Sequence, residues 1–244
     1  MSIFSTLSND NLEQAKDSLG GYLLDSGSYD AKIACAYVTT SAKGAMAINL
    51  VADIDGREYR EQLWITNAKG ENFYVNSKTN SKVPLPGFTI INDICLCTLG
   101  QDLKELDTAP RVFKVYDPEA KQEMPKEVPT IIDLMGKEIT LGIIKQVVDK
   151  NVKNAEGNYV PSGETREENV IDKVFHYETK MTVNEAKDGK KEASFHDKWI
   201  AKNAGNTRNR AKGAPKAEGT AGAPKKATKS LFGWDPDWFL STYL

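Results

Sequence analysis

One face of a predicted β-hairpin carries a tryptophan, an arginine and two side-chain amides. The hairpin spans residues 45–66 and turns at Asp55-Gly56, because both residue types tolerate the positive φ values of a tight turn. This turn pairs Trp64 with Ala47, and the small partner leaves the indole ring open to a flat ligand. Stacking on an indole, with guanidinium and amide contacts beside it, is how sheet faces hold the bases of single-stranded nucleic acids. The residue types and their spacing therefore favour a nucleobase site.

The two faces of the hairpin differ in polarity. The mostly apolar face is predicted to point into a core and comprises Met46, Ile48, Leu50, Ala52, Ile54, Arg57, Tyr59, Glu61, Leu63 and Ile65. The opposite face is expected to be exposed to solvent and comprises Ala47, Asn49, Val51, Asp53, Glu58, Arg60, Gln62 and Trp64. An alternative stays open, in which a neighbouring loop or helix covers Trp64 and Arg60 pairs with Glu58 or Glu61.

The segment after the hairpin has the composition of a loop that binds a polyanion. Residues 67–88 are rich in Asn, Lys and Gly and contain Phe73 and Tyr74. Basic loops with exposed aromatic rings suit a flexible single strand, because lysines contact phosphates while the rings stack on bases. The alternative is a solvated loop that the two aromatic rings anchor to the core. With the lysines that follow residue 144 added, the candidate contacts are Arg60, Gln62, Trp64, Lys69, Phe73, Tyr74, Lys78, Lys82, Lys145, Lys150 and Lys153.

The elements that would position these residues predict a mainly β protein with short helices. Besides the hairpin, strands are expected at residues 29–38, 111–116, 138–148 and 170–174, and helices at residues 9–19, at 89–100 and twice within 182–203. Gly142 is a predicted bend or bulge, and residues 149–169 are predicted to be a long hairpin loop. Three strands, a helix that plugs the open end and two further strands fit a five-stranded, OB-fold-like antiparallel barrel.

The last part of the chain differs in composition from the rest. Residues 204–230 consist mainly of Gly, Ala, Pro, Thr and Lys, a composition that cannot support a core and predicts a disordered basic linker. The terminal residues are aromatic and acidic, which is typical of a docking motif for partner proteins. The candidate docking residues are Leu231, Phe232, Trp234, Asp235, Asp237, Trp238 and Phe239. The alternative is that this segment folds back onto the chain's own groove.

Composition and charge narrow the function classes. The chain has 244 residues, of which 40% are hydrophobic and 27% charged, as in one ordinary folded domain with tails. No apolar run is long enough to span a bilayer and no signal peptide is evident, so a cytoplasmic location is expected. The net charge is −2; eight basic and three acidic residues from Lys202 onward give that segment +5 and leave −7 on the remainder. An acidic body argues against binding of duplex DNA by bulk charge.

The residues that catalysis or metal binding would need are sparse. The sequence contains two histidines, His176 and His196, and no glycine-rich phosphate loop, so neither an enzyme nor a cofactor is expected. His196 lies near Trp199 and is predicted to be structural. A Cys-x-Cys pair with so few histidines is poor material for a zinc site, and three cysteines are an odd number, which favours reduced, buried thiols. A carboxylate metal site assembled only in the fold, as in a nuclease, is the enzymatic alternative.

Several stretches together resemble the single-stranded DNA-binding proteins of tailed bacteriophages that have an OB-fold. They are LDSGSYDAKI, GREYREQLWITNAKGENFYVN, KVPLPGFTIINDICL, LMGKEITLGIIKQ, ETREENVIDKVFH and KSLFG. The resemblance implies that residues 1–203 form a domain that binds single-stranded DNA without catalysis, with a hairpin and helical elaboration in residues 149–203. It also implies roles in phage DNA replication, recombination and repair in the host cytoplasm. Residues 204–244 would recruit replication proteins such as a DNA polymerase or a helicase-primase.

The tail departs from the family pattern, and a competing hypothesis stays open. The tail continues past SLFG into WDPDWFLSTYL, where the family pattern ends in a long acidic run. The competing hypothesis is a protein-interaction module of a phage replication complex that makes no direct contact with DNA. Salt dependence separates the two hypotheses, since strand binding weakens steeply with salt and apolar docking does not. The sequence leaves homodimer formation open.

Overall fold

Alternating apolar residues place the first strand at the centre of a large sheet. The computed structural model describes residues 23–117, 120, 122–154 and 159–212, without the side chains of Tyr116 and Asp117. The strands are β1 (Gly27–Thr40), β2 (Met46–Ile54), β3 (Arg57–Trp64), β4 (Phe73–Val75), β5 (Lys82–Pro84), β6 (Ala109–Asp117), β7 (Gln122–Thr130), β8 (Glu138–Lys153), β9 (Tyr159–Phe175) and β10 (Thr207–Asn209). The helices of this part of the chain are α1 (Pro86–Leu99), α2 (Val183–Lys187) and α3 (Ser194–Asn203), with short 3-10 turns at Leu103–Glu105 and Ile132–Leu134. The chain is therefore mainly β with short helices, as the sequence predicts.

The predicted hairpin is confirmed in its turn and in its register. β2 and β3 pair antiparallel, so that Ala47 faces Trp64 and Ile54 faces Arg57. Asp55 and Gly56 have φ values of +53° and +77°, the left-handed geometry that a two-residue turn between twisted strands requires. The apolar face packs into the main core together with residues of β1, β8, β9 and α1. The three-stranded meander of β1, β2 and β3 is also confirmed.

The sheet is open, so the prediction of a closed five-stranded barrel is wrong. Its eight strands run in the order β10-β8-β1-β2-β3, with β9 on β8, and with β7 on β1 and β6 on β7. Among the described strands, no backbone ladder joins β3 to β9, which would be needed to close a barrel. Helix α1 packs against both strands at this position and occupies the space between them. We call the gap between β3 and β9 the seam.

Helix α1 confirms the predicted buried helix but begins earlier, at Pro86. Proline is favoured in the first turn of a helix, because its missing N–H would have no partner there. The helix ends at Gly100, whose φ of +70° is the usual left-handed C-cap. Ile91, Ile94 and Cys95 form its buried stripe, which faces the main core.

Two hairpins are longer than the sequence predicts. Strand β6 is confirmed, but its partner β7 was expected to be only a connection. The predicted long loop at residues 149–169 is wrong, because β8 and β9 stay paired as far as Lys153 and Tyr159 and form a long two-stranded ribbon. The ribbon is exposed on both faces and buries no apolar stripe. Its sequence is therefore polar on both sides, as in a loop. The predicted bulge at Gly142 is confirmed by a shift of register between Gly142 and Ile143.

The C-terminal part of the body packs on β8 and β9. The two predicted short helices are confirmed as α2 and α3, and Trp199 of α3 is buried against Phe175, with ring centroids 6.0 Å apart. His196 has a structural position, because its Nε2 lies 2.8 Å from Ser28 Oγ and its ring contacts Phe175 edge-on. No helix in the described part of the chain is both long and apolar enough to cross a bilayer.

The boundary that the sequence places after residue 203 is too early. Strand β10 pairs in parallel with β8, and the N–H of Gly205 donates to the carbonyl of Ser26, so residues 204–212 belong to the body. Cys35 and Cys95 are buried and Cys97 is half-buried, and all three are free thiols. The predicted N-terminal helix at residues 9–19 and all candidate docking residues from Leu231 to Phe239 lie outside the described residues.

Candidate nucleic-acid interface

Trp64 lies on the outer face of β3 with 43% of its surface exposed. The alternation of β3 turns Leu63 into the core and Trp64 outward. Its cross-strand partner Ala47 is fully buried and too small to cover the indole. The alternative that a loop or helix covers Trp64 is therefore wrong.

A concave surface runs along this outer face beside Trp64, and we call it the outer-face cleft. Its volume is about 520 Å³, and its lining includes Tyr37, Asn49, Arg60, Gln62, Trp64 and Lys126. The β6–β7 hairpin forms one wall, where Phe113 stacks on Tyr37 with ring centroids 5.9 Å apart. This hairpin also buries Val51, which the sequence predicts to be exposed. The cleft is therefore closed at the hairpin and open at Trp64.

Arg60 is held in a network of ion pairs on the outer face. Its Nε lies 2.5 Å from Glu58 Oε1 and its Nη1 lies 2.9 Å from Glu123 Oε1. The alternative pairing of Arg60 with Glu58 is thus confirmed, and Glu123 from β7 is a second partner. Because all three side chains are about half exposed, a phosphate group would compete with the carboxylates for this guanidinium.

A row of side-chain amides and a hydroxyl crosses three strands beside Trp64. Gln62 Nε2 donates to Asn49 Oδ1 at 3.2 Å, and Asn49 Nδ2 donates to Thr39 Oγ1 at 2.8 Å. The row orients the amide of Gln62 but leaves its carbonyl oxygen without a partner among these bonds. An amide fixed next to an open indole can hydrogen-bond the edge of a base that stacks on the ring.

The β4–β5 hairpin brings only some of the candidate contacts of residues 67–88 close to Trp64. Tyr74 is 49% exposed and lines the same groove as Trp64. Phe73 is less accessible, because the Lys82 ammonium lies 4.3 Å above the centre of its ring. Lys69 and Lys78 are exposed in turns. Tyr74 is therefore the member of this set placed to stack beside Trp64.

The structure separates the lysines of β8 from Trp64. Lys145 Nζ lies 3.3 Å from Glu167, and Lys150 Nζ lies 2.8 Å from Glu164. Lys153 lies over the ring of Tyr159 at 5.9 Å. All three lie along the β8–β9 ribbon and outside both concave surfaces that Trp64 lines. The structure therefore does not bring the candidate contacts Lys145, Lys150 and Lys153 together with Trp64.

A second concave surface follows the seam, and we call it the seam groove. Its volume is about 670 Å³, and Trp64, Tyr74, Asp93, Lys173, Arg208 and Arg210 contribute to its lining. Sequence reasoning missed Lys173, Arg208 and Arg210. The arginines stand at alternate positions, as β10 requires for residues on one face, but they lie in a segment whose composition is that of a linker. Arg208 Nη2 binds Asp172 Oδ1 at 2.8 Å.

A single carboxylate bridges the floor of the seam groove. Glu61 Oε2 accepts hydrogen bonds from Tyr59 Oη at 2.5 Å and from the N–H of Ile171 at 2.8 Å. Burial raises the pKa of Glu61 to about 7, and nearby Glu168 adds to this, although the two hydrogen bonds act in the opposite direction. Burial also raises the pKa of Asp93 on the groove wall, against the attraction of Lys173 and Lys187. Near pH 7 Glu61 is therefore partly protonated and contributes less than a full negative charge to the groove.

Within the described residues, no group of three or more His, Cys, Asp and Glu side chains is arranged to hold a metal ion. No protein-family model matches the chain, and no curated protein matches it either. The side chains around Trp64 are therefore the basis for inferring what the chain binds.

Proposed function

We propose that the chain binds single-stranded DNA without catalysis, and that it acts in phage DNA replication and recombination in the host cytoplasm. One observation carries this proposal: the indole of Trp64 lies open on a sheet face between two concave surfaces. An exposed indole beside a concave surface is the arrangement that base stacking needs. A nucleobase is a flat ligand that would cover the ring, with Gln62 at its edge and lysines near its phosphates.

The topology supports the same proposal. We infer that the body is an elaborated OB-like fold in which the barrel is opened at the seam. The order β8-β1-β2-β3, with β9 on the outer edge of β8, supplies five strands of such a fold. OB-folds bind oligonucleotides on the face of their second and third strands, and that face carries Trp64 here. The β6–β7 hairpin and the long β8–β9 ribbon are then additions to the fold.

The decisive experiment is a fluorescence-anisotropy titration of labelled oligo-dT with the wild type and Trp64→Ala. Loss of one base stack is expected to cost about 1 to 3 kcal/mol, which is roughly a 5- to 150-fold increase in Kd. Trp64→Phe retains an aromatic face and should recover most of the affinity. Tyr159→Ala is the matched control, because Tyr159 is 72% exposed on the ribbon and lies outside both concave surfaces. Duplex DNA should compete weakly.

Failure of the wild type to bind oligo-dT at low salt would refute the proposal. It would favour the second candidate, a protein-interaction module, for which the β6–β7 hairpin offers a specific observation. Val112 and Met124 on this hairpin are 64% and 41% exposed. Strand β6 pairs only with β7 in the described structure, so its outer edge is available to a partner strand.

A further prediction concerns residues 213–244, which we propose recruit replication proteins such as a DNA polymerase or helicase-primase. A chain that ends at Lys212 keeps β10 and is expected to bind oligo-dT within about threefold of the full chain, because the candidate contacts remain. The same chain should lose co-purification with its replication partners. A chain that ends at residue 203 also lacks Arg208 and Arg210 and is the comparison. Equal loss of oligo-dT binding in both chains would contradict the assignment of the site to the body.

A further inference from the structure

A third concave surface lies beyond the seam groove, between α3 and β10. We call it the α3–β10 cleft; its volume is about 540 Å³. Four basic side chains contribute to its lining, and the exposed ring of Phe195 lies among them. These basic residues are Lys173, Lys198, Lys202 and Arg208. No pattern in the sequence groups them, because they come from β9, α3 and β10.

Basic side chains outnumber carboxylates in the lining of this cleft. Asp172 is the carboxylate in its lining, and it already accepts from Trp199 Nε1 and Arg208 Nη2, each at 2.8 Å. Burial would raise the pKa of Asp172, but these hydrogen bonds outweigh it and lower the pKa, so the carboxylate stays ionised and offsets Arg208. Among the described residues, Lys173, Lys198 and Lys202 have no carboxylate within ion-pair distance. The surface is therefore complementary to a polyanion.

Helix α3 presents its lysines from a fixed position. Trp199 is buried beneath the helix, and the carboxylate of Glu185 accepts the backbone N–H groups of Ser194 and Phe195 at 3.0 and 2.8 Å. Lys198 and Lys202 are one helical turn apart, so their side chains lie side by side on one face. Both are exposed. A ligand that binds here meets a surface that needs little reorganisation.

Each of the three concave surfaces shares lining residues with the next. The outer-face cleft and the seam groove share Trp64 and Gln62. The seam groove and the α3–β10 cleft share Lys173 and Arg208. A flexible chain that stacks on Trp64 can therefore reach α3 over a succession of adjoining surfaces.

We propose that a bound single strand continues from Trp64 through the seam groove into the α3–β10 cleft, where Lys198 and Lys202 contact its phosphates. This inference rests on the proposed function and extends its binding site. Charge favours nucleic acid here over a peptide, because four basic side chains and one carboxylate line the cleft. The competing occupant is the chain's own terminal segment around Asp235 and Asp237, and the experiment separates the two.

The test compares two lengths of labelled oligo-dT and two matched variants. An oligonucleotide of about 6 nucleotides should cover the surface near Trp64, whereas one of about 20 should reach α3, since single OB-folds cover roughly 4 to 16 nucleotides. The double variant Lys198→Gln with Lys202→Gln should bind the short strand like the wild type and the long strand about five- to tenfold more weakly. Its salt slope on the long strand should fall by about 1.4, because each lost phosphate contact contributes about 0.7. Lys190→Gln with Lys191→Gln removes the same charge outside the path and should change neither affinity.

The outcomes distinguish this inference from the proposed function. If the long strand binds the double variant as tightly as the wild type, or if both strands weaken equally, the extended path is wrong. Tighter binding by the variant would also overturn it and would assign the α3–β10 cleft to the terminal acidic segment. If the wild type binds neither strand at low salt, the proposed function fails and the inference fails with it. Circular dichroism and thermal unfolding of the variant check that the fold is intact.

Discussion

Replacement of Gly87 by alanine is expected to lower the free energy of unfolding by about 3 kcal/mol, at the upper end of the range for overpacking. A Cβ atom at this position would lie 2.5 Å from the carbonyl oxygen and 2.7 Å from the amide nitrogen of Trp64. Both are backbone atoms of β3, so no side chain can rotate away, and α1 or the strand must move. The direction of the change in the free energy of unfolding is diagnostic, because replacing glycine by alanine inside a helix normally stabilises it by about 1 kcal/mol. Urea unfolding measures the change.

The same substitution should weaken binding of single strands, because the displaced backbone is that of Trp64. Thr89→Ala is the control, since Thr89 is exposed on the same turn of α1 and should change stability by about 0.5 kcal/mol or less. A Gly87→Ala variant that is more stable than the wild type would show that α1 does not approach β3 as closely as described. Normal affinity in a destabilised variant would separate the position of Trp64 from the packing of α1.

The second large effect is a fall in stability as pH rises through the range in which Glu61 titrates. Its pKa in the folded protein is about 7, above the ordinary glutamate pKa of 4.5, so between these pH values the folded state holds a proton that the unfolded state has released. Stability that depends on this proton is complete below about pH 4.5 and is lost as pH rises through 7. A difference of this size corresponds to roughly 3 kcal/mol.

Glu61→Gln should remove this pH dependence, because the amide cannot ionise and its oxygen can still accept from Tyr59 and Ile171. The variant is therefore expected to be more stable than the wild type at pH 8 and similar to it at pH 5. Urea unfolding at both values gives the difference. Glu138→Gln, at an exposed position, controls for the loss of one charge. Parallel pH profiles for the wild type and Glu61→Gln would show that another group titrates in this range.

Short-range patterns allowed the hairpin and its open indole to be predicted. The Asp55-Gly56 turn sets the register, and the register alone decides that Trp64 faces outward. The seam groove beside Trp64 depends on segments that are distant in the sequence. The seam exists because α1 packs between β3 and β9, and no local pattern reveals that contact.

The sequence prediction failed for two groups of basic residues, and each failure has its own physical reason. Arg208 lies on β10, which is held by its edge to β8 and contributes little apolar surface, and Arg210 follows this strand, so the composition of the segment is that of a linker. Lys145 and Lys150 look like phosphate contacts in the sequence, but the antiparallel register of β9 places Glu167 and Glu164 within reach of them. Pairing between strands therefore decided which cations remain available to a ligand.

The seam also determines where the body can open. Elsewhere the strands are held by several successive backbone hydrogen bonds, whereas the described bond across the seam from β9 ends on the side chain of Glu61. The amide hydrogen of Ile171 is protected from exchange with solvent by that one acceptor. Its exchange rate would report local separation of β3 and β9 without unfolding of the sheet. Separation of β3 from β9 would thus break this side-chain hydrogen bond and disturb the packing of α1, but it would break no backbone ladder in the described structure.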